Sequence, residues 1–395
     1  MAEFDLSVIS FDHGLDRLRA LLAEFENEHN VRVNIQSLNW TNAWAEIIKF
    51  ALYGHSPAVS EVGSTWVANL AAMNVLRPFK PHEMAGLGGR RAFLNGVWRA
   101  GALDESLWAA PWLAETRLIY YRRDLLQAAG VDEVNAFADA ARFEDTLIRL
   151  KASGVAIPWA VPTLPTLNTF HHVASWVWGA GGQFVSDDGT RVEFDRPPAR
   201  AGLRNYYNLH RFLPPEAAQW DDARVEALFA EGRAAATISG PWLLHGPDYA
   251  PGVPAELRVA PTPGVPVVSG SHLVVWRNMP PEQERLALEL VRFLTGKRAQ
   301  ITASQIAGLL PALRDALAAE PFSVDPIYQV MGRGALIGRG FKPMRLWGLV
   351  EDKLTVALAN LWAKILATPD PNVDALIRAE LDPLAAKLNA LLENK

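Results

Sequence analysis

The sequence predicts an α/β protein with two lobes, and three observations support that prediction. A chain of 395 residues is too long for a single ordinary hydrophobic core. Its first forty residues have the pattern strand, helix, strand, and this alternation builds a mostly parallel sheet covered by helices. Half of the residues are hydrophobic and 21% are charged, which is the mixture of a globular protein.

Hydrophobic periodicity predicts the N-terminal elements. Residues 6–11 form a short apolar run that predicts a strand, and apolar residues at helical spacing over 15–25 predict a helix. Alternation over 31–35 predicts a second strand, and residues 43–53 predict a helix with one apolar face. Sheets of this kind bind ligands beyond the C-terminal ends of their strands, so polar and aromatic residues just after these strands are candidates for a site.

The rest of the chain continues in the same way. A proline- and glycine-rich stretch, 247–270, precedes a predicted strand at 273–276, and helical patterns cover 282–294 and 326–339. From residue 346 the chain is almost wholly helical. Its final apolar stripe is too short for a sustained coiled coil, which favours packing against its own body.

Composition excludes several classes of protein. A net charge of −5 with interspersed signs argues against nucleic acid as a partner. The chain has no cysteine, which excludes disulfides and thiolate metal sites. No apolar run approaches the length of a membrane-spanning helix, and the N-terminus lacks a signal pattern. Either the protein is cytoplasmic, or a leader was removed; we favour the second interpretation.

Fourteen tryptophans are an unusual number for a chain of this length. A hydrophobic core uses tryptophan sparingly, because the ring is large and its N–H needs a partner. A sugar ring offers an apolar face and a rim of hydroxyls, so a carbohydrate site needs flat aromatic rings and planar polar groups. The tryptophan content therefore favours a carbohydrate ligand.

Five segments carry a resemblance to a known family: residues 107–126, 179–184, 228–242, 286–300 and 308–311. The most specific is the third, in which a phenylalanine, a glycine, a basic residue and alanines lead to Gly240-Pro241-Trp242. Together, in this order, they resemble the extracellular solute-binding family that includes maltose-binding protein.

The resemblance implies a periplasmic-binding-protein-like fold in which ligand binds between two lobes that close by hinge bending. It implies an N-terminal lobe of residues 1–113 and 268–323 and a C-terminal lobe of 114–267 and 324–395. It further implies the binding component of an ABC importer, located in the periplasm or at the outer face of the cell membrane after removal of a leader. Permease subunits are the expected protein partners; we expect a monomer, no cofactor and no catalysis.

Aromatic residues near the predicted strand ends and lobe crossovers are candidates for stacking on the ligand. The resemblance points most directly to the tryptophan that follows Gly240-Pro241, and we expect this ring to be packed mainly by ligand. For every candidate ring, a position in the hydrophobic core is the alternative. The candidate rings are Trp40, Trp66, Trp112, Trp242, Trp276 and Trp347.

Gly240, in the turn before Trp242, and several polar residues are the other ligand-binding candidates. Glu115 matches a family position at which a carboxylate accepts sugar hydroxyls. Asp12 and His13 follow the first strand, although Asp12 also suits a helix cap. Asn168 and His171 lie where the family offers polar contacts, and no metal is expected there because no third ligand follows at a suitable spacing.

Arg345 departs from what a neutral sugar requires, because a guanidinium fork matches carboxylate, phosphate or sulfonate groups. A structural ion pair is the alternative role for this side chain. The predicted ligand is a mono- to trisaccharide or a sugar derivative, acidic or sulfonated if Arg345 faces it. Two other functions stay open: a glycoside-acting enzyme, which would need two flanking carboxyl groups such as Glu115 and Asp12, and a sugar-binding module without a transporter.

Overall fold

A computed structural model describes residues 2–103, 105–246 and 249–393, and its contacts divide the chain into two compact units. Unit 1 consists of Met1–Glu115, Val268–Leu336 and Gly340–Gly348. Unit 2 consists of Thr116–Val267, Ile337–Arg339 and Leu349–Lys395. Both units mix helices with strands, so the predicted α/β class is confirmed.

The two divisions of the chain differ after residue 323. The sequence-based boundaries assign residues 324–348 to the C-terminal lobe, whereas most of this segment packs in unit 1. Contacts with the rest of unit 1 explain the difference. Tyr328 meets Phe322 edge to face with ring centroids 5.1 Å apart, and the Gly348 amide donates to Asn69 Oδ1 at 3.4 Å.

The strands are short, as expected for sheets interrupted by helices. In chain order they are β1 (Ala2–Val8), β2 (Val31–Ser37), β3 (Val59–Gly63), β4 (Ala102–Leu103), β5 (Ser106–Leu107), β6 (Ala109–Thr116), β7 (Leu118–Arg122), β8 (Ala236–Ser239), β9 (Leu257–Pro261), β10 (Val268–Val275) and β11 (Leu310–Pro311).

The helices dominate the described part of the chain. The first eight are α1 (Leu15–His29), α2 (Ala43–Tyr53), α3 (Val67–Ala72), α4 (Pro81–Gly86), α5 (Asn95–Ala100), α6 (Arg123–Ala128), α7 (Ala140–Ala152) and α8 (Leu167–Gly179). The others are α9 (Pro197–Tyr207), α10 (Asp222–Ala230), α11 (Val253–Glu256), α12 (Pro281–Leu294), α13 (Lys297–Ala307), α14 (Arg314–Leu317), α15 (Pro326–Ile337), α16 (Trp347–Ala367) and α17 (Val373–Glu393).

Unit 1 is built on a six-stranded sheet in the order β11-β6-β10-β3-β1-β2. Strand β1 pairs in parallel with both β2 and β3, as the strand–helix–strand pattern predicts. Strand β10 joins β3 antiparallel, so the sheet is mixed. Helix α1 covers it with a buried stripe that includes Leu18, Leu22 and Phe25, whose spacing is that of one helical face.

Unit 2 contains a smaller sheet, β8-β7-β9, in which both pairings are antiparallel. Parallel bridges from Ile157 to Ala234 and from Ala160 to Thr237 extend it. Helix α10 leads into β8 through a turn at Gly232, whose φ of 74° suits glycine. Helix α10 and the end of β8 carry residues of the candidate site in unit 2 that is described below.

Neither membrane-spanning helices nor clustered metal ligands are found in the part of the chain that the structure describes. None of its helices is both long enough and apolar enough to cross a bilayer. Within the same residues, no group of three or more histidine, aspartate or glutamate side chains is arranged to hold a metal ion.

Candidate functional site

Trp242 lies on a 3-10 turn, Pro241–Leu244, directly after β8. Its ring folds back onto the preceding turn residue: a Cβ added to Gly240 would lie 1.9 Å from the Cζ3 atom of the indole. Glycine is therefore required at position 240 to let the ring approach the backbone. The Gly240 carbonyl accepts a hydrogen bond of 2.6 Å from the Tyr120 hydroxyl, which fixes the turn to β7.

Arg117 lies over the Trp242 ring, with the guanidinium carbon 4.4 Å from the ring centroid. The guanidinium Nε donates to Asn168 Oδ1 at 3.0 Å, and one terminal nitrogen lies 3.3 Å from His171 Nδ1. Arg117 is only 3% exposed. A desolvated cation on an aromatic face is a strong orienting contact, so Arg117 and Trp242 restrain each other.

Glu226, on α10, accepts the indole N–H of Trp242. The Nε1 to Oε1 distance is 2.6 Å, and the Ser239 hydroxyl donates to the same oxygen at 3.0 Å. Burial raises the pKa of Glu226, and the hydrogen bonds from Trp242 and Ser239 oppose that rise. We call Arg117, Asn168, His171, Glu226 and Trp242 the Trp242 network.

Asp222, beside the network, and His171, within it, shape its electrostatics. Asp222 lies one helical turn before Glu226 on α10, accepts from the Thr166 hydroxyl at 3.2 Å, and has its pKa raised by burial. The pKa of His171 lies well below its ordinary value, because burial and the neighbouring Arg117 both disfavour the charged ring. At neutral pH this histidine is uncharged.

The Trp242 network corrects one expectation. We expected the Trp242 ring to be packed mainly by ligand, but its own unit already contacts it through Gly240, Arg117 and Glu226. The side chain remains partly exposed. Trp242 is therefore a restrained ring with a limited open surface.

Unit 1 holds the second group of predicted rings. Trp40 follows β2, and Trp66 immediately precedes α3; their ring centroids are 5.5 Å apart. Trp44 meets the Trp66 ring at 5.3 Å. Trp40 is 47% exposed. We call these three residues the tryptophan cluster.

A narrow recess in unit 1 brings polar groups to Trp347. The Trp347 ring, at the start of α16, stacks on Phe341 with an interplanar angle of 30°. Ser269 donates its hydroxyl to Glu115 at the edge of this recess. The recess is lined by Ser64, Thr65, Ala68, Ala100, Val268, Ser269, Phe341, Lys342, Pro343 and Trp347.

Asp12 and His13 are exposed in the turn between β1 and α1. The start of this turn is anchored by Glu61, a fully buried carboxylate on β3 that accepts from the amide nitrogens of Ile9 and Ser10 at 2.6 and 3.0 Å. Burial raises the pKa of Glu61, and these hydrogen bonds act against it. The structure thus holds the turn by its backbone, and ligand contact by its side chains remains a prediction.

Trp276 is a correction. We proposed it as a ligand-stacking ring, but it is 2% exposed and belongs to the hydrophobic core of unit 1. Its indole N–H donates to the Ser60 hydroxyl at 2.8 Å, and Phe50 meets its ring edge to face. Because its faces are packed by the core and its N–H is already hydrogen-bonded, this ring presents neither a surface nor a donor to a ligand.

Trp112 and Arg345 belong neither to the Trp242 network nor to the residues that line the recess. Trp112 is buried in β6 and stacks on Phe11 at 5.1 Å. Arg345 is exposed, and it is Lys342 that lines the recess beside Trp347. Trp112, at 0% exposure, thus occupies the core position that was its alternative, as Trp276 does. A ligand contact by Arg345 remains a prediction.

The sequence reasoning missed Arg117, Asp222, Glu226 and Lys342. One of them, Arg117, lay inside a segment that carried the resemblance, two residues after Glu115, and Lys342 precedes the candidate Trp347 by five. Asp222 and Glu226 are spaced four residues apart, so one face of α10 carries two carboxylates. That spacing was a visible signal for a paired acidic site.

Comparison with known proteins places the chain in a family. The family model for bacterial extracellular solute-binding proteins matches residues 20–330, which is more than half of the chain. The chain belongs to this family. The resemblance inferred from the five segments is thereby confirmed, and the family consists of binding proteins without catalytic activity, which removes the glycosidase alternative.

Individual relatives are distant. The diacetylchitobiose-binding protein DasA of Streptomyces coelicolor is 24% identical over 56% of this chain and 51% of its own length. The maltodextrin-binding protein MdxE of Bacillus subtilis is 21% identical over 57% and 52%. The chain thus matches about half the length of these relatives. The sugar-binding protein MalE of Xanthomonas citri has a TM-score of 0.82 at 21% identity, covering 100% of both chains, which confirms the periplasmic-binding-protein fold.

Proposed function

We propose that this protein is the carbohydrate-capturing component of an ABC importer, with a mono- to trisaccharide or a sugar derivative as its ligand. The Trp242 network is the observation that supports this most, because it combines a restrained aromatic ring with carboxylate and amide groups. An aromatic face contacts the C–H surface of a sugar, and planar polar groups pair with its hydroxyls.

The family supports the proposal at a coarser level. DasA and MdxE are named for diacetylchitobiose and maltodextrin, both of which are carbohydrates. Because one fold serves many ligands, the fold cannot choose among sugars. We therefore assign the carbohydrate class here, and treat an acidic or sulfonated sugar, the possibility that Arg345 raises, as an outcome of the test.

Transport gives the proposal its wider context. In this proposal the predicted N- and C-terminal lobes enclose the ligand when they close by hinge movement. Permease subunits in the cell membrane receive the closed, liganded protein, which acts as a monomer in the periplasm or at the outer face of the cell. Small-angle scattering tests the closure: the radius of gyration should decrease when a bound sugar is added.

A panel of sugars tests the ligand class. Neutral and acidic mono- to trisaccharides, with glycerophosphocholine as a non-sugar phosphodiester, are added to the purified protein while the melting temperature and tryptophan fluorescence are measured. A ligand at one hundred times its Kd stabilises the native state by about 2.7 kcal/mol. Glycerol at equal concentration controls for general polyol stabilisation.

The panel separates the outcomes. A shift with one or a few sugars supports carbohydrate binding, and a response to acidic sugars alone assigns the anionic class. A response to glycerophosphocholine alone, or no response to any sugar, contradicts the proposal. Loss of uptake of the radiolabelled sugar when the gene is deleted separates an importer component from a binding module without a transporter.

A further inference from the structure

Glu226 uses its two carboxylate oxygens differently. Oε1 accepts both the Trp242 indole N–H and the Ser239 hydroxyl, at 2.6 and 3.0 Å. Oε2 accepts no hydrogen bond from any residue within 2–103, 105–246 or 249–393. Glu226 is only partly buried, and Oε2 is not among its enclosed atoms, so a ligand or water can donate to it. The arrangement therefore leaves an acceptor beside the restrained ring.

The charges around this acceptor are unbalanced. Asp222 lies one turn away on the same face of α10, and its charge acts on Glu226. Arg117 is the cation that acts on both carboxylates. His171 contributes no positive charge at neutral pH, because burial lowers its pKa. Two neighbouring carboxylates thus both lie near the Arg117 guanidinium, and their negative charge disfavours the approach of an anion.

We propose that Glu226 is a specificity-determining residue. One oxygen positions Trp242 and the other accepts a hydrogen bond from the ligand, so that this site selects groups that donate, namely sugar hydroxyls and ammonium groups, over carboxylate or sulfate. This inference rests on the proposed carbohydrate function and refines it: unit 2 binds a neutral or amine-bearing sugar.

The alternative is that Glu226 only supports the ring. In that case Oε1 performs the whole task, and replacing the carboxylate with an amide changes the affinity for every sugar by the same factor. A ligand-contacting role predicts a different pattern, because an amide cannot neutralise an ammonium group and does not repel a carboxylate. The ratio of affinities between charged and neutral sugars is therefore the decisive quantity.

Three matched disaccharides are the probes: cellobiose, chitobiose with its two free amines, and cellobiouronic acid with one carboxylate. Their glucose, glucosamine and glucuronate counterparts serve as monosaccharide probes. Titration calorimetry of the whole chain measures each Kd for wild type, Glu226→Gln and Glu231→Gln. Glu231→Gln is the matched control, because it removes the same charge from the exposed end of α10.

Wild type should bind the neutral or amine-bearing member of a series at least tenfold more tightly than the acid. Glu226→Gln should weaken the amine-bearing sugar most and narrow the preference over the acid at least fivefold, whereas Glu231→Gln should leave every ratio unchanged. As a check on the free protein, the 15N–1H indole signal of Trp242, assigned by its absence in Trp242→Phe, should shift in Glu226→Leu.

Two results overturn the inference and leave the carbohydrate function intact: preferential binding of the acidic sugars by wild type, or affinity ratios that Glu226→Gln does not alter. An unmoved indole signal in Glu226→Leu also contradicts the positioning role. If no sugar of either series binds, and no sugar of the panel under Proposed function changes the melting temperature or the fluorescence, the carbohydrate function itself is contradicted. This inference then fails with it.

Discussion

The Trp242 network and the tryptophan cluster look alike in the sequence, but the structure builds them differently. In the network, a ring is restrained by a guanidinium on its face and a carboxylate on its N–H. In the cluster, Trp66 is contacted by the rings of Trp40 and Trp44, and the outermost ring is 47% exposed. One region is organised by charge and the other by aromatic contact.

The difference shows that a ring's energetic role depends on what surrounds it. Removal of a ring from the network leaves buried charged groups without their partner, so the free protein should lose stability. Removal of an exposed ring from the cluster exposes little surface that was buried. The stability of the free protein should therefore change little. Stability and binding measured together can therefore test the comparison.

Trp242→Ala should have the largest effect. It removes the donor to Glu226 and the aromatic partner of Arg117, both of them largely buried. We expect a loss on the order of 2–4 kcal/mol in the free energy of unfolding without ligand. Sugar affinity should fall as well. Urea unfolding monitored by circular dichroism measures the first effect, and calorimetry measures the second.

Trp242→Phe is the control for that result. It keeps an aromatic face for Arg117 but removes the N–H, so it should lose only the contribution of one hydrogen bond to a charged acceptor, about 1–3 kcal/mol. If Trp242→Ala leaves the stability of the free protein within about 0.5 kcal/mol of wild type, the ring is not held by its own unit and our view of the network is wrong.

A change of pH should affect the network more than the cluster. His171 and His172, adjacent on α8, are buried, and burial lowers the pKa of both well below 6.5. Below that pH the two imidazole rings are protonated in the unfolded chain but stay neutral in the folded chain. Unfolding free energy should therefore fall with decreasing pH, by up to about 1.4 kcal/mol per pH unit for each histidine.

The carboxylates of Asp222 and Glu226 oppose this slope. Because the pKa values of Asp222 and Glu226 are raised by burial, the folded chain takes up their protons first, and their contribution to stability grows as the pH falls. His172→Leu should thus flatten the loss of stability between pH 6.5 and 5, measured by urea unfolding. Exposed His82 provides the control, and an equal effect of His82→Gln would contradict the prediction.

Local periodicity predicted several of the longer helices. The helix predicted over 43–53 is α2, and those predicted over 282–294 and 326–339 correspond to α12 and α15 within a few residues. The strand predicted at 6–11 is instead Ala2–Val8, because residues 9–14 turn towards α1. Apolar composition continues into that turn, so the end of the strand was not visible in the sequence.

The site was less predictable than the fold. A family resemblance pointed to Asn168, His171 and Trp242, which the structure brings together around Arg117. Nothing local marked Arg117 as their common partner, because the contacts link residues 51 to 125 positions apart in the chain. Trp276 shows the opposite error: its position near a crossover suggested a site, but tertiary packing placed it in the core.

Trp40→Ala should have the smallest effect on the free protein. With 47% of its surface exposed and its indole ring touching Trp66 on one side, Trp40 should contribute less than about 1 kcal/mol to stability. If the tryptophan cluster contacts sugar, however, the same change should weaken binding about threefold to tenfold, since an aromatic contact is worth about 0.5–1.5 kcal/mol. Tyr53→Ala removes another exposed ring of unit 1, 71% exposed at the end of α2, and should alter neither quantity. Equal affinities for Trp40→Ala and Tyr53→Ala would show that the cluster serves only to pack unit 1, and that sugar recognition lies elsewhere in the molecule.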